Sequence, residues 1–472
     1  MLLSRFHLHA EVLAAQAAAA AAIHFARGRS CESGSRKGST TQQRQRRTVK
    51  EVYTCLGSKY FQRAYRMSYK SFLSLHQQLK DGIEEAHREH VEEMKRQRRA
   101  ALRRRRVGSG RRRLNNPPPP PIPNGRISTD VRLGCALRYF AGGSPYDIMS
   151  KYGVSHTEMM NSVWYTVEAT NKKNEWYIEY PQQHEEQLKI ADAFRVKSSV
   201  DFGWCAGTID GIVIWMNRPT LKEAMKVGVD QQKFYCGRKH KFGLNCQAVC
   251  DVRGRFLDIS ITYGAASSDL LAFENSKLYK LLEQGILAPG LCLFGDNAYL
   301  NTIYMATPYP NTSGGPKDNY NFFHSQLRIR IECAFGMLVQ RWGILRMAMP
   351  MGISVKKTIA LVNCLAKLHN FCIDEVDSAT DSLRADNCNI ESSDSGFVPM
   401  IANQDIADVL GVEVATPDGL IGGGHHFHDL PRAARRDRSA ISVRSAIELP
   451  RESLCLHVQS KHMVRPVSNR RH

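Results

Sequence analysis

The sequence predicts an α/β fold, a mixed sheet flanked by helices, with a small helical region ahead of it and disordered tails at both ends. Three observations carry this expectation. Short apolar runs of strand length begin near residue 202, and segments of helical period separate them. Residues 128–170 read instead as consecutive short helices, while the chain ends are polar and irregular.

Taken in order, residues 1–50 form a loose leader that ends in a polar, basic run. Residues 51–94 read as helical, because Tyr65, Phe72, Leu75 and Leu79 recur at helical spacing and Ser68 is placed to cap. Residues 95–127 form a basic arm that runs into a stiff Pro-rich linker. Eleven basic residues and no acid stand between 95 and 113. Such a run is expected as a solvated flexible arm or nuclear-import address, or, more sharply, as a phosphate-binding arm.

Residues 128–190 are expected as a helix-turn-helix-like region. LGCALRYFAG is one helix, PYDIMSKYG a second that starts at Pro145 and stops at Gly153, and VSHTEMMNSVWYTVEAT a third. Ser155 followed by Glu158 predicts a capping box for the third. That helix is poorly basic, which argues against strong base readout by it.

Residues 200–375 are expected as the α/β domain. AGTIDGIVIWM is a strand, and LNCQAVCDV and FLDISITY form a hairpin that turns at Arg253-Gly254. LLAFENSKLYKLLEQG is helical, GLCLFG is a buried strand, and IRIECAFGMLVQRW and VKKTIALVNCLAKLHNFCID are helices. Residues 376–472 are expected as a mostly disordered tail.

Composition bounds the function. The 472 residues carry 65 Lys+Arg against 45 Asp+Glu, a net charge of +20, so an acidic polyanion is the expected partner. A hydrophobic share of 43% excludes wholesale disorder. The 13 cysteines are scattered and contain no C-x-x-C pair, which argues against a secreted disulfide framework and a Cys-rich zinc site. The Ala-rich stretch 12–25 is too short and too weakly apolar to span a bilayer. It reads as a frayed leader, with a targeting presequence as the alternative.

Three acids sit at revealing places. Asp210 lies in an apolar strand, where an uncompensated carboxylate costs several kcal/mol. Asp296 follows LCLFG, at the carboxyl end of a strand where α/β sheets place ligands. Glu332 lies on the next helix, beside a core stripe of Leu327, Ile331, Phe335, Leu338 and Trp342. Carboxylates converging this way repel unless a divalent cation joins them, and oxygen-only ligands favour Mg²⁺ or Mn²⁺. Such ions clamp the attacking and leaving oxygens of a phosphoryl displacement. The plainer reading of each acid is a turn Asp or a surface Glu paired with Arg328. Similarly, His425, His426 and His428 beside Asp429 read as a solvated cluster rather than a metal site, and His369 and Cys372 as core.

The text around these acids resembles the DDE nuclease domain of Harbinger-type (PIF/Harbinger) transposases and their domesticated descendants. The matching stretches are GTIDGIVI, FYCGRKHKFGLNCQAVCD, SSDLLAFENSKL, LFGDNAY and NFFHSQLRIRIECAFGMLVQRWGIL. The resemblance covers roughly residues 207–374. It implies an RNase H-like fold and a metal-binding catalytic triad of Asp210, Asp296 and Glu332. His324 and Arg328 belong to the motif framing the glutamate and are expected as DNA contacts; Arg238, Lys239 and Lys241 are expected as phosphate contacts or, equally, as residues that solubilise a loop. One departure is Ala266-Ser267-Ser268-Asp269, where the family usually writes Gly-Ser-x-His-Asp; Asp269 is expected to cap or orient the helix.

The resemblance further implies hydrolysis of a DNA phosphodiester at an element end, followed by attack of the freed 3′-hydroxyl on target DNA. It implies a nuclear protein without a membrane anchor, a Myb/SANT-like partner protein and an assembly of at least two copies. The alternative is a domesticated DNA-binding protein that keeps the fold and does not cut. A third reading is a basic adaptor that binds RNA or DNA through its arm. The presence of all three carboxylates favours the cutting enzyme.

Overall fold

The computed structural model describes residues 45–108, 125–386 and 449–466, of which 102–108, 262–263 and 376–386 are described by backbone only. The leader up to residue 44, the Pro-rich linker and the His425, His426 and His428 cluster lie outside the described residues.

Two helices open the described chain. α1 (Val49–Tyr65) starts from a Thr48–Glu51 capping box and kinks at Gly57. α2 (Tyr69–Gly108) buries Phe72, Leu75, Leu79, Ile83 and Ala86 at helical steps, the expected stripe continued by about two turns. Ser68 accepts from the Ser71 amide and caps it, as expected. The basic arm departs from expectation, because α2 carries it as helix as far as Gly108. The physical reason lies in its composition: Arg, Lys, Gln, Ala and Leu are strong helix formers, and basic side chains near a helix C-terminus complement its dipole.

The three expected short helices form as α3 (Thr129–Phe140), α4 (Pro145–Tyr152) and α5 (His156–Lys172). Gly153 ends α4 at φ 61°, and Ser155 caps α5. Only half of the capping box forms, since the Glu158 carboxylate turns to the buried Arg132 guanidinium, 3.3 Å away. The position of α5 disagrees with a reading helix. It packs against α2 and α3 and buries Met159, Val163, Tyr165, Val167 and Ala169 in the core, leaving only His156, Thr157 and Lys172 exposed. A helix so enclosed is a bundle centre, with no open face to lay into a groove.

α6 (His184–Lys197) leads into β1 (Cys205–Trp215), and a six-residue α7 (Leu221–Lys226) follows that strand. The short β2 (Tyr235–Cys236) turns into β3 (Lys241–Cys250), which pairs antiparallel with both β1 and β4 (Phe256–Gly264). The hairpin turn is wider than two residues: Cys250 opposes Phe256, and Gly254 sits at φ 82°. The helical stretch after it divides into α8 (Asp269–Glu274) and α9 (Lys277–Glu283), because Ser276 starts a fresh cap. β5 (Cys292–Phe294) runs parallel to β1, and β6 (Met305–Ala306) parallel to β5. The sheet is therefore mixed, in the order β2-β3-β1-β5-β6 with β4 also on β3.

Two long helices follow, α10 (Gly315–Arg341) and α11 (Val355–Asp386). His369 and Cys372 are buried on α11, as expected. His369 packs its ring on Phe256 and faces the Gly254 carbonyl, 2.9 Å away. The expected disordered tail needs two corrections. α11 extends to Asp386, and α12 (Pro450–Ser460) docks on the α/β domain. Leu454, Cys455 and Val458 of α12 join a core cluster with Phe194, Phe202, Phe294, Tyr320, Phe323 and Leu327. His457 closes on the Val200 carbonyl at 2.7 Å, and Arg465 bridges to Asp318 and Asn319 at the head of α10. The apolar residues of PRESLCLHVQS recur at helical steps, and burying them offsets the cost of ordering this segment.

Candidate active site

The apolar periodicity that builds the sheet also sets three acids around one point. β1 is buried along most of its length, and Asp210 sits in its middle, opposite Ala248 of β3. β5 runs alongside β1 and ends at Phe294, so Asp296 emerges two residues past the strand. On α10 the stripe Leu327, Ile331, Phe335 and Leu338 is buried, with Trp342 just past the helix end. Burying that stripe turns the adjacent stripe of Arg328 and Glu332 toward β1.

The Arg328 guanidinium joins the acids. Its Nη1 donates to Asp210 Oδ2 at 3.3 Å and its Nη2 to Glu332 Oε1 at 2.5 Å. Arg328, Asp210 and Glu332 are only 16%, 13% and 15% exposed at their side chains. Burial lowers the Arg328 pKa, but Glu332 and Asp210 outweigh it and the guanidinium is held charged. Burial, with repulsion from Asp296, pushes the Asp210 carboxyl from its ordinary 3.8 up to about 8. Asp296 is also raised, first by burial and then by Asp269 and Glu332, against a hydrogen bond from the Ala298 amide and the Arg328 charge. These are carboxylates short of positive charge.

A hard divalent cation is what that shortage fits. The donors are all oxygen, the acids repel one another, and Arg328 alone of the groups acting on Asp210 and Asp296 brings a full positive charge. Among the described residues no group of three His, Cys, Asp or Glu is close enough to hold an ion in the arrangement seen. Arg328 stands between Asp210 and Glu332 instead.

A fourth acid, Asp269, belongs to this neighbourhood. It does not cap α8, because the Ser268 hydroxyl accepts from the Leu271 amide and does so instead. Asp269 Oδ1 accepts from Asn245 Nδ2 at 3.0 Å and Gln247 Nε2 at 2.9 Å, while Gln247 Oε1 accepts from the Tyr299 hydroxyl at 2.5 Å. This chain of polar groups ties α8, β3 and the loop after β5 behind Asp210. Gly211 makes room for it: a Cβ there would meet Asp269 Oδ1 at 2.2 Å and Gln247 Nε2 at 2.5 Å. Gly211→Ala is therefore expected to cost about 1–3 kcal/mol of stability, read as a fall in the urea midpoint. An unchanged midpoint would mean that the network yields freely.

The other expected contacts are not brought to this point. His324 is fully buried, stacked on Phe294 at 4.7 Å, with Nε2 facing the Ala306 carbonyl at 3.0 Å. Burial holds its pKa down to about 3, so it is neutral and out of reach of DNA; it locks α10 onto β5 and β6. Arg328 is engaged by carboxylates rather than open to solvent. Arg238, Lys239 and Lys241 lie at the β2–β3 turn, with Arg238 and Lys241 exposed. Lys241 is seven residues along β3 from Ala248, the partner of Asp210, or roughly 23 Å at strand rise. The network of Asp269 with Asn245 and Gln247 escaped sequence reasoning, although two polar residues inside an apolar strand were its signal.

Residues 209–370, which contain all three acids, match the family model described as a DDE superfamily endonuclease. Across those residues, about a third of its length, the chain is similar to DDE superfamily endonucleases. That stretch runs from mid-β1 to the middle of α11. Protein ALP1-like of Arabidopsis thaliana is 27% identical over 271 residues, covering 54% of this chain and 63% of that protein. HARBI1 of Homo sapiens, named as a candidate nuclease, is 23% identical over 250 residues, or 52% of this chain and 68% of its own. The protein named antagonist of like heterochromatin protein 1, also of Arabidopsis thaliana, is 26% identical over 299 residues, or 59% and 70%. The match thus spans less than two thirds of ALP1-like. No solved structure matches the chain. Among the described residues no helix is long and apolar enough to cross a membrane.

Proposed function

We propose that the chain is a divalent-metal-dependent DNA endonuclease acting in the nucleus, with Asp210, Asp296 and Glu332 as its catalytic carboxylates on an RNase H-like sheet. One observation carries the reading: these acids, from β1, the end of β5 and α10, face one another around Arg328 inside the matched endonuclease domain. The sheet order, with β3 and its antiparallel neighbours β2 and β4 on one side of β1 and the parallel β5 and β6 on the other, supports the fold assignment.

Asp210, Asp296 and Glu332 would hold Mg²⁺ or Mn²⁺, which when bound supplies Lewis acidity to a phosphodiester. The chain's own residues do the rest. Asp210 is fixed by the Gly211 amide on one oxygen, at 2.7 Å, and offers the other toward Arg328. Arg328 partly offsets the carboxylates, donating to Asp210 and Glu332, and leaves the shortage of positive charge that a bound cation would fill. The Asp269, Gln247 and Tyr299 chain ties α8, β3 and the loop after β5 together beside Gly211, and buried His324 fixes the angle of α10 that presents Glu332. Strand transfer of a freed 3′-hydroxyl, a Myb/SANT-like partner and an assembly of two or more copies extend the same proposal.

The deciding experiment is cleavage of labelled duplex DNA by the full chain with Mg²⁺, with Mn²⁺ and with EDTA, beside Asp210→Ala and Glu332→Ala. Metal-dependent cutting by the wild type, lost in both variants, is the expected result. Salt-sensitive binding without cutting under either metal would instead support a domesticated DNA-binding protein.

A further inference from the structure

α2 does more than complete the helical bundle. Its first five turns are packed, and Ala86 is its last buried residue among those with described side chains. From Arg88 to Ala101 every side chain is exposed except the partly buried Val91. The exposed stretch 88–101 is about 21 Å long at 1.5 Å per residue, and the helical backbone runs on to Gly108. Glu92 and Glu93 pair with Lys95 and Arg96 at 2.7 and 3.2 Å, and no acid follows them in the helix. Arg98, Arg99 and the unbroken Arg run 103–106 add six cations over its last turns.

A stretch of this kind would ordinarily be a solvated flexible arm. Here it grows directly from a packed helix, so the costly nucleation step is already complete and each further residue adds a hydrogen bond. Like charges three and four residues apart still repel one another, by a few tenths of a kcal/mol per pair. That repulsion disappears when a polyanion supplies the counter-charge. Rigid and about 10–12 Å across, the helix matches the major groove of B-form DNA, which is about 12 Å wide. From residue 88 to 108 the helical backbone spans about 31 Å, close to one duplex turn of about 34 Å. A bilayer surface would instead favour an apolar face along the helix, and 95–106 interrupts its cations only with Gln97, Ala100, Ala101 and Leu102.

We propose that the distal part of α2, residues 95–108, is a preformed helical phosphate-binding element that docks on double-stranded DNA away from the carboxylates. It takes over the role that the buried α5 does not offer. This inference rests on the reading of the chain as a DNA-acting protein. Its test reads binding in EDTA, so a failure to cut leaves the outcome unaffected.

The full chain is titrated with a labelled 30-base-pair duplex of random sequence at a series of salt concentrations. One variant carries Lys95→Gln, Arg96→Gln, Arg98→Gln and Arg99→Gln; another carries Ala100→Pro, which keeps every charge but interrupts the helix. The first is expected to weaken binding at least about tenfold and to flatten the log–log salt slope by about 0.9 for each phosphate it no longer neutralises. The second is expected to weaken binding several-fold with its cations intact. Both are expected to melt with the wild type, since these residues are exposed. Unchanged affinity and slope in the first variant would overturn the proposal. Unchanged binding by Ala100→Pro would reduce the element to a flexible arm and overturn the preformed helix. Better competition by single-stranded RNA, or by phosphatidylserine vesicles, than by unlabelled duplex would assign the surface to another partner.

Discussion

Asp210→Asn is expected to lower metal-dependent DNA cleavage by on the order of 10³-fold or more, while making the metal-free protein more stable at pH 8. Both effects have the same cause. Asp210 is buried near Asp296 and Asp269, with one guanidinium against it, and its carboxyl is pushed from 3.8 up to about 8. A group raised in the folded state leaves stability intact below its unfolded pKa, near pH 4. Stability is then lost progressively as pH rises toward 8, where the folded carboxyl finally ionises. Asparagine has no such loss. In EDTA, the melting temperatures of wild type and variant should nearly agree at pH 4–5 and separate by several degrees at pH 8. Mg²⁺ should raise the wild type and leave the variant unmoved, because only the wild type gains a ligand. Equal pH profiles would mean that the carboxyl is solvated and the site is not short of positive charge.

Opening the seat of α12 is the second large effect. Val458 is fully buried and Leu454 is 1% exposed, and both press on the face where α6, β5 and the first half of α10 meet. Leu454→Ala is expected to cost about 2–5 kcal/mol, and Val458→Asp more, since an unpaired carboxylate would enter that face. Because α10 also carries Glu332, cleavage by Leu454→Ala should fail at a lower temperature than in the wild type. Leu456→Ala, on the exposed side of the same helix, serves as the control and should behave as wild type. A urea midpoint unchanged by Leu454→Ala would mean that α12 is not held on the domain.

Much of this arrangement is legible in the residues because one pattern does two jobs. The apolar runs that make β1, β3, β4 and β5 also mark Asp210 and Asp296 as exceptions within or beside them. The Leu327 to Trp342 stripe orients α10 and thereby Glu332. What escapes such reading is whatever depends on partners distant in sequence. His324 looks like a polar contact until Phe294 and Ala306 close over it. Asp269 looks like a helix cap until Asn245 and Gln247 are seen to claim it. α5 has the length and caps of a reading helix, and only the packing of α2, α3 and α11 around it removes that role. α12 is short and lies beyond a long polar stretch, so its three buried residues carry little signal against that background.

The docking of α12 has a consequence in time. His457 meets Val200 across 257 positions of the chain. At the usual pace of synthesis, about 5–20 residues per second, that separation takes roughly 13–50 seconds to make. The apolar seat of Phe202, Tyr320 and Phe323 is complete only when Phe323 is made, and it then waits roughly 7–26 seconds of synthesis for α12 to cover it. The sheet can pair its strands during this wait, but closure of that face must follow the synthesis of α12, leaving an early, sticky surface for which chaperones would compete.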